Sequence, residues 1–315
     1  MNQLTLPRAA CAAVWLLGLA HATRADAHGI AGARVFVTTL TVDDPAVADE
    51  ASLPTFSWML QGADGGPGQT NEYNLNVEWD KRITEHFGLG FNSGFTALQT
   101  LNDKTRYGWQ DLVVTAKYQA YVSAAHEFML SVGVVREFGR TGTASIGADQ
   151  YGFTQPTVYF GKGLGDLPIG WLRPLAITGE LGFAAADVAL KQNPDGSFNN
   201  GYANRWVGGM SIQYSIPYLQ SQVKDLGLPG WLGRMTPLVE ITWSSPTQRP
   251  NNLPMQLLFA PGVVYSGDTW QFGIEALIPG NSNTGKHVGV IAQYHLFFDD
   301  LFPHSLGKPV VDWFR

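Results

Sequence analysis

Residues 70–97 read TNEYNLNVEWDKRITEHFGLGFNSGFTA, and their alternation decides the fold. In the first arm Tyr73, Leu75, Val77 and Trp79 alternate with Asn74, Asn76 and Glu78. In the second, Phe87, Leu89, Phe91 and Phe95 alternate with Gly88, Gly90, Asn92 and Gly94. A period of two means two strands, each with an apolar and a polar or small face. Water-soluble sheets alternate as well. The distinguishing feature is aromatic and aliphatic bulk on one face against Gly and Asn on the other. Such a sheet suits a barrel whose outside meets lipid and whose inside is wet or tightly filled. The fold class expected is therefore all-β, a transmembrane antiparallel β-barrel.

The totals agree with this reading. Residues 1–27 combine Arg8, an apolar stretch from Ala9 to Ala20 and a small-residue site at Ala25-Asp26-Ala27. This is the pattern of a cleaved secretory signal peptide, with His28 as the first mature residue. Cys11, the single cysteine, lies inside it. Removing Arg8, Arg24 and Asp26 leaves 18 basic against 25 acidic residues, a net charge of −7. That balance argues against nucleic-acid binding, which wants a basic footprint. Charged residues make up 15% of the chain, below the ~25% of a soluble domain, and 36 of 315 residues are Gly. After His28 no apolar run approaches the ~20 residues of a membrane helix. The location expected is the bacterial outer membrane. The competing class is a secreted β-sandwich, or two of them.

Twelve strands can be marked, at 53–61, 70–80, 86–97, 108–119, 126–138, 154–163, 173–185, 203–215, 235–245, 255–265, 268–279 and 286–298. Most have 9–13 residues, close to the ~9–11 that cross a bilayer when tilted. Mostly short turns alternate with longer loops rich in Gly, Asn, Asp and Thr, as periplasmic turns and external loops do. Ile216–Met235 is the exception, a 20-residue connection on the short-turn side that suits a short helix at the periplasmic rim. An even strand count returns both ends to the periplasm. The run Ala33–Val42 would make a thirteenth, so residues 28–52 are expected to be a periplasmic or lumen-plugging segment, with fourteen strands as the alternative. The barrel then spans 53–298, and 299–315 form a periplasmic tail.

Two stretches carry a family resemblance. Trp109–Gln119, WQDLVVTAKYQ, resembles a strand of transporters of the meta-cleavage phenol-degradation pathway, and ITEHFGLGF at 83–91 resembles a turn and strand of the same group. The likeness covers residues 73–119, with weaker echoes at 155–166 and 289–298. Gln110 stands where that pattern has Gly, and the chain ends Trp313-Phe314-Arg315 beyond its last strand. The resemblance implies an outer-membrane barrel that passes small, often aromatic, molecules.

Several motifs fail on context. GNSNTGKH at 280–287 lacks the Ser or Thr of a phosphate loop and precedes a strand pattern. GKGLGD at 161–166 has no βαβ unit around it. NPDGSFNNG at 193–201 lacks the terminal Glu of a calcium loop, and no Gly-x-Ser-x-Gly elbow occurs. Ser211 and His295, both on inward faces, are the best remote nucleophile–base pair for a lipid-cleaving barrel.

The ionisable residues on inward faces form the candidate site: Glu78, Asp111, Lys117, Glu137, Glu180, Arg205, Glu240, Glu275 and His295. Six acids against two bases would favour cations in a pore. Side chains filling the lumen would instead close it. The function expected is a channel or transporter-like barrel for small molecules that is not an enzyme and needs no cofactor or metal. Its partners are outer-membrane lipid, lipopolysaccharide and a small solute. A lipid-cleaving barrel and a structural or adhesive barrel with a filled lumen are the alternatives.

Overall fold

The computed structural model describes residues 29–62, 68–247 and 255–314. The leader, His28 and parts of two loops fall outside these, and with them the signal-peptide reading. A short hairpin comes first, β1 (Gly29–Ala31) with β2 (Arg34–Phe36). Thirteen strand segments follow in one antiparallel sheet: β3 (Glu50–Gln61), β4 (Thr70–Arg82), β5 (Phe87–Thr100), β6 (Arg106–Trp109), β7 (Leu112–Ser123), β8 (Phe128–Phe138), β9 (Phe153–Gly163), β10 (Leu175–Ala186), β11 (Arg205–Tyr214), β12 (Met235–Pro246), β13 (Gln256–Ser266), β14 (Trp270–Pro279) and β15 (Gly289–Phe297).

β6 and β7 both pair with β5 and are parted only by Gln110 and Asp111, so they make one stave of the wall. The barrel therefore has twelve staves. β15 pairs with β3, Val290 opposite Trp58 through Phe297 opposite Glu50, which closes the sheet. Closure leaves no unpaired edge, the condition for a sheet to cross hydrocarbon. All twelve expected strands are present. The first starts at Glu50 rather than 53, because Glu50, Ala51 and Ser52 already pair with Asp80, Trp79 and Glu78.

The alternation has its physical counterpart. Leu75, Val77, Val134, Val158, Leu181, Ile212, Val239 and Ile274 stand exposed on the outside. Aromatic residues gather toward the ends, with Phe95 against Tyr107 and Trp109 at one rim and Trp270 against Tyr265 and Tyr294 at the other. These are the girdles of a membrane barrel.

The apolar core lies inside the wall. Phe36 and Ala46 pack with Met129 and Ala176, Val37 packs with Leu238 and Val264, and Leu40 lies against Ala260, Leu277 and Ile291. The connection 216–234 opens with the short helix expected, over residues 216–223, and breaks after it, where Gly227, Pro229 and Gly230 lie, before a single 3-10 turn at Leu232–Arg234.

Candidate functional site in the occupied lumen

Residues 29–49 run as a strap through the barrel, held at two points on the rim that carries the short turns. At the first, fully buried Arg34 pairs with Glu127 at 3.1 Å and donates to the Pro174 carbonyl at 3.0 Å. Its guanidinium lies 3.8 Å from the Tyr218 ring centre, and the Tyr218 hydroxyl donates to Glu127 at 2.7 Å. Burial and the bond to Glu127 push the Tyr218 hydroxyl up to about 12. At the second, buried Asp49 accepts from Lys81 and from Arg82 at 2.8 Å, and Arg82 also reaches Asp299 at 2.8 Å. Lys81 and Arg82 then donate to carbonyls of Leu306, Gly307 and Lys308, which ties the C-terminal tail to the same knot.

Between these points the strap rises into the lumen and turns at residues 39–42. The turn is held by Glu240, whose carboxylate accepts from Leu40 N at 2.8 Å, Thr41 N at 2.6 Å and Val42 N at 2.9 Å. Successive backbone N–H groups converging on one anion form a nest. Inward glycines make room for the strap. A Cβ on Gly209 would stand 2.8 Å from Val42, one on Gly88 3.0 Å from Val47, one on Gly161 3.1 Å from Phe36, and one on Gly273 would strike Leu40.

On the other side the strap faces acids. A cavity of about 200 Å³ is lined by Asp43, Asp44, Glu50, Glu78, Asp80 and Glu180, with Ser52 and His295 in its wall. Lys117 is the cation set against them, 2.7 Å from Asp43 and 2.9 Å from the Asp44 carbonyl. Burial raises Asp44, with Lys117 opposing. His295 stands between Ser52 (3.0 Å from Nδ1) and Glu50 (3.1 Å from Nε2). Ser211, on β11, is fully buried without a hydrogen-bond partner, and His295 does not serve it.

The outer mouth is divided by residues 139–152. Asp111 anchors this loop, accepting from Thr141 N at 3.0 Å, Gly142 N at 2.8 Å and Asp149 N at 2.6 Å. On one side lies a cavity of about 400 Å³ lined by Asn74, Asn76, Gln110, Val113, Glu137 and Asp149. On the other lies one of about 350 Å³ lined by Phe153, Ala184, Ala186, Tyr202, Arg205 and Val207. Burial and Asp111 raise Asp149, with Arg205 opposing.

The nine residues singled out from sequence thus do different jobs. Glu78 and Glu180 line the middle cavity, and Arg205 and Glu137 the two halves of the mouth. Asp111 and Glu240 accept backbone N–H groups, Lys117 pairs with the strap, and Glu275 lies buried against Glu240. Asp43, Asp44, Glu50 and Asp80 belong to the same constellation and were not singled out. Asp80 continues the inward series of β4 after Glu78, and the acidic stretch DDPAVADE contains Asp43 and Asp44.

No family model and no curated protein matches the sequence. Among solved structures the chain is similar to an outer-membrane channel from Pseudomonas putida F1, with 11% identity over 83% of this chain and 99% of that one and a TM-score of 0.55. The NanC porin (10% identity, 78% of this chain and 98% of that one, TM-score 0.48) and the KdgM porin (12%, 77% and 97%, 0.44) are more distant. At such identities the first likeness speaks for the fold. The chain has the fold of a twelve-stranded outer-membrane β-barrel.

Proposed function

We propose that this barrel is a gated channel for small solutes, and that residues 37–48 are its plug. The observation that carries the reading is the lumen itself. It is polar on one side, holds the strap without covalent links, and keeps cavities of about 200–350 Å³ beside it. A structural barrel with a filled lumen would leave no such space. Six acidic side chains line the middle cavity and Lys117 pairs with one of them, Asp43, an excess of acids that favours cations over anions. The resemblance of residues 73–119 to phenol-pathway transporters makes small phenols the first organic cargo to try.

The reading as a channel rather than an enzyme also rests on size. Ser52, His295 and Glu50 have the connectivity of nucleophile, base and orienting acid. Yet the cavity they border has about 200 Å³, below the ~300–1,000 Å³ of a pocket that takes an organic ligand. Ester hydrolysis by purified protein that Ser52→Ala abolishes would reverse this choice.

The test is conductance in a planar bilayer, with barrel formation checked by heat-modifiable migration in a gel. Wild type should open rarely and prefer cations. Replacing residues 38–47 with a Gly–Ser linker should give a steady open level at least tenfold higher in mean current. A folded, linker-bearing barrel without conductance would rule out the channel.

A further inference from the structure

The cavities beside the strap adjoin one another through shared wall residues, and they do so in one order. The mouth cavity at Tyr202 and Arg205 shares Val207 and Ser244 with a second cavity of about 300 Å³. That one shares Thr41 and Glu180 with the acid-lined middle cavity. The middle cavity shares Glu50 and Asp80 with a fourth, lined by Val47, Gly88, Gly90 and Lys117. Volumes fall along this series from about 350 to 300, 200 and 20 Å³. The last has room for about one water and for no solute. The cavity on the other side of the 139–152 loop shares Asp149 with the mouth cavity and no residue with the middle one.

We infer that the solute route enters at Tyr202 and Arg205, passes between Thr41 and Glu180 at the strap's turn, and is shut at a neck where Val47 seats on Gly88 beside Lys117. This assignment rests on the channel reading above. Glu180 is its selectivity residue, because it belongs to both cavities that meet at the turn. The gate is local. Arg34 and Asp49 are buried in ion pairs at either end of the strap, whereas residues 43–47 between them are held from the wall by Lys117, which pairs with Asp43 and donates to the Asp44 carbonyl, and by Ser131 on the Pro45 carbonyl. Shifting Val47 off Gly88 widens the neck with both anchors in place. The amide-lined cavity beside Asn74 and Asn76 is a blind pocket in this scheme.

Matched substitutions test the route in potassium chloride bilayers, each variant first shown to form a heat-modifiable barrel. Val207→Trp narrows the assigned route and Val113→Trp fills the blind pocket, both from inward valines. In the background of the 38–47 linker variant, Val207→Trp should cut the current at least threefold and Val113→Trp should leave it unchanged. The reverse pattern, or equal loss, overturns the route. Val47→Gly in the otherwise intact chain should raise mean current at least fivefold, and wild-type current would overturn the neck. Glu180→Gln should lower the cation-to-anion permeability ratio at least twofold, and an unchanged ratio overturns its role. Absence of current from the linker variant itself would instead refute the channel and the route together, and so separates the two failures.

Discussion

Glu240→Gln is the most informative single change, because one carboxylate holds the whole turn of the strap. Three N–H groups, from Leu40, Thr41 and Val42, reach it at 2.6–2.9 Å, and the Thr41 hydroxyl adds a fourth donor. Hydrogen bonds to an ionised acceptor are worth roughly 1.5–3 kcal/mol net, and neutral ones about 0.5–1.5. Neutralising the acceptor therefore removes about 1 kcal/mol from each of three bonds. Part of that returns, since Glu240 is fully buried and a neutral amide costs less to bury than a carboxylate. A net loss of about 2 kcal/mol remains, which shifts the shut–open equilibrium roughly 30-fold toward open. Gln fills the same volume, so the barrel itself should keep its gel mobility and melting behaviour. Single-channel recording reads the open probability directly. An open probability within twofold of wild type, in a protein shown to be folded, would refute the reasoning that this nest holds the gate.

Other changes probe the same arrangement elsewhere. Gly273→Val puts a branched side chain where Leu40 sits, so it should unseat the turn and raise mean current without loss of the barrel, read by conductance and gel shift. Arg34→Ala leaves Glu127 buried without its cation, a loss of about 3–5 kcal/mol when one partner of such a pair is removed. It should open the 29–36 hairpin to limited proteolysis while trypsin still spares the wall. Asp299, pushed up to about 8 chiefly by burial with Asp49 adding to it, makes the tail's docking depend on pH. Its folded value exceeds its unfolded one, so its contribution is complete below about pH 4 and is lost as pH rises through about 8. Protease cleavage within 299–314 should therefore accelerate from about pH 5 to 8 and level off above it, and Asp299→Asn should flatten that profile.

The wall was legible from sequence because its information is local. Period-two alternation in stretches such as Tyr73–Trp79 states which face each residue takes, and strand pairing follows from neighbours in the chain. The break at Gln110–Asp111 was not legible, and Asp111 shows why. Its carboxylate receives N–H groups from residues 141, 142 and 149, about thirty to forty positions away, and nothing in the local pattern separates such an acid from one facing water.

The division of labour among the inward acids has the same cause in stronger form. Glu78 and Glu240 look alike in sequence, each an acid on the small or polar side of a strand. One lines a cavity and the other is enclosed by backbone donors, and the difference is set by a partner about 200 residues earlier. Composition leaves one trace of it. Gly88, Gly161, Gly209 and Gly273 stand on inward faces, and each meets a side chain of residues 36–47 where a Cβ would collide or crowd. A barrel filled only by water gains nothing from inward glycine, which weakens a strand and gives up side-chain packing. Inward glycine therefore marks a close approach inside the barrel, by the strap at these four positions and by side chains of the wall at Gly90 and Gly94. Here the glycines sit on four separate strands, β5, β9, β11 and β14, so the segment they accommodate must cross the lumen rather than follow one stave. A strap on that course is held from several walls at once, and a gate built from it opens by yielding at its weakest seat while the remaining seats keep hold.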